Sequence, residues 1–264
     1  MMETGIKGKV AIVTGATRGI GAAMVKVLLE EGASVYGTGR TEESAGRAQS
    51  ELLASGDRVH FGAADLGDTD SPGRIVAAAY ERFGRIDLVL NNAAAFEYRT
   101  MDDLEPGDWT GLSQLKLVAY ARMIDAAREQ LIANRGRVVN VAGIAGCVPT
   151  GETPHVGAVN AGILAMTRFY AAQLAKHGVR VNAVSPGDTD TDRRTERLAR
   201  LIRTGLTDEE AQLRLAATIP MGKPVQPSEV AGVAVALCSD QFDSVTGINI
   251  LVDGGRHVHY SAMQ

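Results

Sequence analysis

The residues best suited to chemistry by type and spacing begin with a glycine-rich turn, Thr14-Gly15-Ala16-Thr17-Arg18-Gly19-Ile20-Gly21, between a β-branched run and an apolar helical segment. Glycines at a strand-to-helix turn let the backbone approach a pyrophosphate, and the free N–H groups and dipole of the new helix attract its charge. Gly15, Thr17, Arg18, Gly19, Ile20 and Gly21 are therefore candidate cofactor contacts. A ligand-free turn is the alternative, disfavoured by the strand and helix patterns on either side. One strand later, Thr38-Gly39-Arg40-Thr41 stands where an adenosine ribose would be read. No carboxylate is present to hold a ribose diol, whereas Arg18 and Arg40 both offer positive charge to a 2′-phosphate. NADP(H) is expected over NAD(H), unless Arg40 is only a solvated turn residue. His155, in "GETPHVGAVNAG", is a side chain able to titrate near neutral pH, with a packing or loop role as its alternative.

The elements that must position these groups follow from periodicity. "KVAIVTG", "ASVYGTG", "DRVHFGA", "IDLVLNN", "GRVVNVAG", "VRVNAVSPG" and "INILVDGG" read as strands. Helical patterns lie between them over 20–31, 43–55, 72–83, 115–134 and 158–177. Near-continuous apolar strands alternating with helices imply a parallel sheet covered on both faces. The expected fold class is α/β, a single-domain Rossmann-type doubly wound sheet over 1–264. The stretch "DTDTDRRTERLAR", dense in charge directly after Pro186-Gly187, is expected to begin a mobile lid over about 188–215, its aspartates forming a solvated face.

Composition narrows the partners. The 264 residues are 45% hydrophobic and 22% charged, enough for one full core. With 27 Lys+Arg against 31 Asp+Glu the net charge is −4, which offers no overall basic field to nucleic acid or an anionic membrane. No apolar run reaches spanning length, and "MMETGIKGKV" has neither the basic start nor the apolar core of a secretory leader. A cytoplasmic protein acting on a small molecule is expected. Cys147 and Cys238 are far apart and read as buried or half-buried thiols. His257 and His259 lack a third ligand nearby, so no metal is expected.

With these pieces assembled, the whole chain resembles a short-chain dehydrogenase/reductase, in the style of the β-ketoacyl carrier protein reductases. The resemblance rests on "TGATRGIG", Asp65-Leu66, Asn91-Asn92-Ala93-Ala94, "RVNAVSPG" and the ending "VTGINILVDGG". It implies that Asp65 and Leu66 meet the adenine and that Asn92 and Ala93 lie on the adenosine side. Pro186, Gly187, Thr189 and Thr191 are implied at the nicotinamide end. Ala94 stands where the family has glycine, and its methyl narrows the space beside the cofactor. The resemblance also implies a homo-tetramer, since the corresponding helices pair between subunits and "VNAGILAMTRFYAAQLAK" carries more apolar surface than one sheet face needs.

The catalytic positions depart from the family. Its serine, tyrosine and lysine fall on Gly143, Val156 and Asn160, and alignment through "WTGLSQLKL" puts Lys116 at its asparagine. A positioned general acid is worth about 10²–10⁴ in rate, about 2.7–5.4 kcal/mol of barrier, and valine supplies none of it. Family asparagine has become lysine and family lysine has become asparagine, as if the two had exchanged places beneath the nicotinamide ribose. Lys116, His155 and Asn160 are the catalytic candidates; a desolvated Lys116 would serve as acid, base or amine nucleophile, and a lysine that merely snorkels to solvent is its alternative. Three functions fit: an atypical oxidoreductase with a degenerate catalytic site, a non-redox cyclase, isomerase or lyase using the same pocket, or an inactive dinucleotide-binding scaffold subunit. The resemblance favours the first.

Overall fold

The computed structural model of the chain describes residues 3–95, 98–149 and 153–258; Glu152 and His259, noted in the sequence, lie outside them. Seven strands form one parallel sheet: β1 (Val10–Val13), β2 (Ser34–Gly39), β3 (Val59–Ala63), β4 (Leu88–Asn91), β5 (Arg137–Val141), β6 (Arg180–Pro186) and β7 (Asn249–Val252). Their order is β3-β2-β1-β4-β5-β6-β7, with every pairing parallel. All seven runs identified in the sequence are these strands. The order reverses between β1 and β4, and the crevice at the strand ends there is where a doubly wound sheet receives its ligand.

Side chains alternate across each strand, so the sheet feeds two separate cores. Ala11 and Val13 of β1 pack against α1 (Gly19–Glu30) and α9 (Pro227–Ala236) through Met24, Leu28, Val230 and Ala234. Ile12, between them, belongs to the other face. There it joins Ile75 and Ala79 of α3 (Ser71–Phe83), Met123 and Ala127 of α5 (Ala119–Ala133) and Leu174 of α6 (Pro154–Leu174). Helix α2 (Glu42–Glu51) starts at a reciprocal cap, in which Thr41 Oγ1 accepts from the Ser44 amide at 3.2 Å. It ends earlier than its polar pattern suggests.

Two helices differ from their sequence reading in ways that bear on the site. Helix α6 starts at Pro154, four residues before the expected boundary, because proline at the first helical position lacks only an N–H that is unpaired there in any case. His155 and Val156 therefore sit on its first turn, not in a loop. The helix expected over 115–134 begins at α4 (Pro106–Leu112) and reaches α5 through a π-helical stretch, Ser113–Val118. Such widened turns occur mostly as single insertions and rotate the residues they contain relative to the helix on either side. This one contains Lys116.

Cys238 is buried, and burial pushes its thiol up to about 12, but Cys147 is exposed, contrary to expectation, where its sulfur accepts from Asn249 Nδ2 at 3.3 Å. Among the described residues no helix is long and apolar enough to cross a membrane, and no group of three or more His, Cys, Asp or Glu side chains converges as a metal site.

A buried polar ladder fixes the second core beneath the crevice. Asn91 Nδ2 at the end of β4 donates to Asn140 Oδ1 of β5 at 2.9 Å, and Asn140 Nδ2 donates to Thr167 Oγ1 of α6 at 3.0 Å. Thr167 in turn donates to the Ile163 carbonyl at 2.8 Å. Replacing Asn140 by alanine leaves Asn91 Nδ2 with only a 3.5 Å contact to the Tyr120 carbonyl and removes the donor that Thr167 Oγ1 accepts from, and each such loss costs about 1–3 kcal/mol. Urea denaturation of Asn140→Ala is expected to show a loss of about 2 kcal/mol or more at unchanged m-value; a loss under about 0.5 kcal/mol would mean that the ladder does not hold β4, β5 and α6 in register.

Candidate active site

The cofactor end is built by bracing the glycine-rich turn from two sides. Thr14 Oγ1 accepts from the backbone amides of Asn92 and Ala93 at 3.0 and 3.1 Å. Asn92 Nδ2 donates to the carbonyls of Thr14 and Gly15 at 3.1 and 3.0 Å. The Asn92 amide is thus spent on holding the loop. A Cβ at Gly21 would come within 2.1 Å of the Gly15 carbonyl, so only glycine lets α1 start this close to its own loop and present its first amides outward. That cradle fits a pyrophosphate.

The end of β2, where the sequence places a ribose reader, is tightly packed. A Cβ at Gly39 would stand 2.6 Å from Ser44 Oγ and 2.7 Å from the Thr17 methyl, which leaves no room for a carboxylate. Arg40 and Arg18 are exposed beside it. Asp65 is exposed and accepts from the Gly67 amide at 2.9 Å, and Leu66 is buried next to it. Ala94 is exposed.

The catalytic end is organised around Lys116. Its Nζ donates to the Ala142 carbonyl and to Asn160 Oδ1, each at 2.6 Å, and the whole side chain is buried. Burial, reinforced by the Arg193 charge, lowers its pKa to about 7. Asn160 reaches this position across Gly143, whose backbone at φ 148°, ψ 149° is accessible essentially to glycine alone. A Cβ at Gly143 would lie 2.8 Å from Asn160 Nδ2. Lys116, Gly143 and Asn160 are therefore one packed unit, and the snorkelling alternative for Lys116 is excluded.

The remaining candidates form walls. His155 is 1% exposed and sets its ring edge-on to Trp109, 6.1 Å between centroids. Burial lowers its pKa, against a smaller opposing effect of Asp108, so it stays neutral at pH 7. Val156 is buried beside it. Tyr120, one turn beyond Lys116 and without a lysine four residues after it, donates to the Ala93 carbonyl at 3.1 Å, and burial pushes its phenol well above the usual tyrosine range. It ties the β4 loop to the helix carrying the lysine. Its signal in the sequence was its i+4 spacing from Lys116.

The segment after β6 closes the site. Gly187 N donates to Val252 O at 3.0 Å, and Thr189 bridges in parallel to Val225, which fixes Pro186, Gly187 and Thr189 at the strand end. Thr191 Oγ1 donates to the Thr189 carbonyl at 3.3 Å and its methyl lies against Gly19. Beyond them, α7 (Asp192–Arg203) and α8 (Asp208–Ala216) pack on each other through Leu198, Ala211 and Leu215. Asp188 is not solvated as the sequence suggested: it is buried between Arg194 at 3.2 Å and Arg197 at 3.3 Å, because an unpaired carboxylate under a helix would be costly. Asp192 is exposed and pairs with Arg18 at 2.8 Å.

Comparison with known proteins agrees with this architecture. A family model described as "Enoyl-(Acyl carrier protein) reductase" matches residues 15–257. The 3-oxoacyl-[acyl-carrier-protein] reductase FabG of Vibrio cholerae is 31% identical over 254 residues, 96% of this chain and 99% of that protein. The chain belongs to the short-chain dehydrogenase/reductase family. The L-rhamnose 1-dehydrogenase (NAD(P)(+)) of Azotobacter vinelandii is 34% identical, covering 95% of this chain and 97% of its own. L-Sorbose reductase from Gluconobacter frateurii, solved with NADPH and L-sorbose, superimposes with a TM-score of 0.92 at 25% identity, over 98% of this chain and all of that one.

Within this short-chain dehydrogenase/reductase the Lys116 environment has a measurable signature. An unfolded lysine titrates near 10.4, so between about pH 7 and that value the unfolded chain holds a proton that the folded chain has shed. Stability from this group then rises with pH across that window, at up to about 1.4 kcal/mol per pH unit, and below pH 7 the folded state carries the full cost of a buried ammonium. Relative to a Lys116→Met variant, the wild type is expected to gain stability steadily from pH 7 to 9.5 in denaturation experiments. Parallel pH profiles for the two proteins would show that Lys116 is not desolvated.

Proposed function

We propose that the chain is an NADP(H)-dependent oxidoreductase in which the usual serine, tyrosine and lysine are replaced, at Gly143, Val156 and Asn160, and Lys116 is the group that holds the proton. The observation that carries this reading is the Lys116 Nζ, buried between the Ala142 carbonyl and Asn160 Oδ1 at 2.6 Å from each. The glycine-rich turn with Arg18 and Arg40 would hold the dinucleotide, Thr189 and Thr191 its nicotinamide end. When bound, the dinucleotide supplies or receives a hydride.

The protein's own groups do the rest. Ala142 O and Asn160 Oδ1 use two of the three N–H donors of an ammonium, which leaves the third for a substrate oxygen. With a pKa near 7 the amine is a proton donor and acceptor matched to neutral pH. Neutral His155 against Trp109 and the Val156 side chain exclude water from the tyrosine position. Among the described residues Arg18 is held by an exposed ion pair with Asp192, a contact worth about 0–1 kcal/mol, so a 2′-phosphate can take it over. Phe169, 74% exposed on α6, supports assembly into a homo-tetramer through that helix.

Nicotinamide fluorescence titration is expected to show tighter binding of NADPH than NADH, with the gap closing in an Arg18→Ala/Arg40→Ala variant. Against a panel of ketones and oxo acids, Lys116→Gln is expected to lose about 10²-fold or more in kcat with NADPH affinity kept. Equal affinity for the two cofactors would remove the NADP(H) assignment, and undiminished turnover by Lys116→Gln would place the proton on another group.

A further inference from the structure

Helix α7 lies across the crevice as a strap, tied differently at its middle and at its ends. Asp192, its first residue, pairs with Arg18 of the glycine-rich turn at 2.8 Å, and the preceding Thr191 packs its methyl against Gly19. Arg200, about 12 Å further along the helix axis, sets its guanidinium over the Tyr98 ring at 3.1 Å from the centroid. The glycine-rich turn follows β1 and the Tyr98 segment follows β4, the two strands between which the sheet order reverses, so the helix bridges both lips of the crevice. Between its ends, Arg194 and Arg197 fold onto the buried Asp188 carboxylate at 3.2 and 3.3 Å, and Arg194 Nη1 donates to Gln212 of α8 at 2.8 Å.

The ties differ in strength. Breaking the middle one leaves a charge without a partner away from water, which is costly. The Arg18–Asp192 pair is the reverse case. Its side chains are 70% and 67% exposed, water replaces the lost contact, and closure by this pair is favoured by no more than about fivefold. The Arg200–Tyr98 contact, a cation over an aromatic face, belongs to the same weak class. The strap is thus fixed at Asp188 and fastened lightly at each end.

Asp192 gives Arg18 the kind of partner that the proposed cofactor would also bring, an anion. A phosphate carries more charge than a carboxylate and takes two parallel N–H bonds from one guanidinium, so the exchange runs toward the phosphate. The displaced Asp192 then faces a group of its own sign, which pushes the start of α7 away from the turn. We propose that Asp192 is an internal competitor for the 2′-phosphate of NADP(H), and that the cofactor unfastens the lid by taking Arg18 from it. Linkage makes the effect reciprocal: the factor by which the clasp weakens NADPH binding is the factor by which NADPH weakens closure. Cofactor therefore enters first and substrate second. The inference rests on the NADP(H) reading, since NADH lacks the displacing group.

The test is a double-mutant cycle on wild type, Asp192→Asn, Arg18→Ala and the two combined, titrated with NADPH and with NADH by nicotinamide fluorescence. Asp192→Asn is expected to bind NADPH about two- to fivefold more tightly than wild type, with NADH little changed, and the gain is expected to vanish in the Arg18→Ala background. Hydrogen exchange followed by mass spectrometry reads the other side of the linkage. Adenosine 2′,5′-bisphosphate, which carries the 2′-phosphate but no nicotinamide, is expected to speed exchange at the start of α7 by a similar factor, and 5′-AMP to leave it unchanged. Asp192→Asn is expected to show the faster exchange with nothing added. Unchanged or weaker NADPH binding by Asp192→Asn, a gain that persists without Arg18, or α7 exchange indifferent to the bisphosphate would overturn the clasp, while a wild-type preference for NADPH would keep the cofactor reading. Equal binding of NADPH and NADH by both wild type and Asp192→Asn would remove the cofactor reading itself, and the clasp with it.

Discussion

An amine buried away from water must find acceptors, and the site depends on how Lys116 does so. Among the described residues its two hydrogen bonds run to a β5-end carbonyl and to the α6 amide of Asn160. They require Asn160 to lie across the backbone at residue 143. That in turn requires glycine there, because the local φ is positive and a Cβ would strike the amide. The π-helical stretch Ser113–Val118 supplies the remaining condition by turning Lys116 inward. Lysine, glycine and asparagine are thus mutually dependent, and a side chain could not be placed at 143 while Asn160 keeps its place.

The rest of the fold serves this unit and the crevice above it. Thr14, Asn92 and Tyr120 lock the glycine-rich turn, the β4 loop and the lysine-bearing helix to one another through short polar contacts. Below, the Asn91–Asn140–Thr167 ladder joins β4 and β5 to α6, the helix that carries Asn160. Above, the α7–α8 pair is attached at one end by a buried cluster around Asp188 and at the other by the exposed Arg18–Asp192 pair. The first is a fixed anchor. The second is a weak contact on the glycine-rich turn itself, placed where the charge of the proposed cofactor would compete for it.

Much of this was legible in the sequence, for identifiable reasons. Parallel strands buried on both faces leave continuous apolar runs, so all seven were readable, and the glycines of the turn mark a backbone constraint that no other residue meets. Lys116 and Asn160 could be read as candidates by position, and the fold brings both to one place. The π-helical stretch left no mark, since "SQLKLV" suits an ordinary helix. Pro154 was read as loop although proline is favoured at a helix start, which hid the fact that His155 and Val156 belong to α6. The charged run after Pro186-Gly187 read as solvent-facing because composition does not reveal that Asp188 has two arginines folded over it.

Ala142 O and Asn160 hold Lys116 as a desolvated amine, and the proposed proton exchange at neutral pH requires it to titrate there. The most direct measurement is its titration by NMR, following the ε-methylene signal of isotopically labelled lysine, assigned by its loss in Lys116→Gln. An apparent pKa near 7 is expected. A value near 10.4, that of a lysine in water, would contradict it.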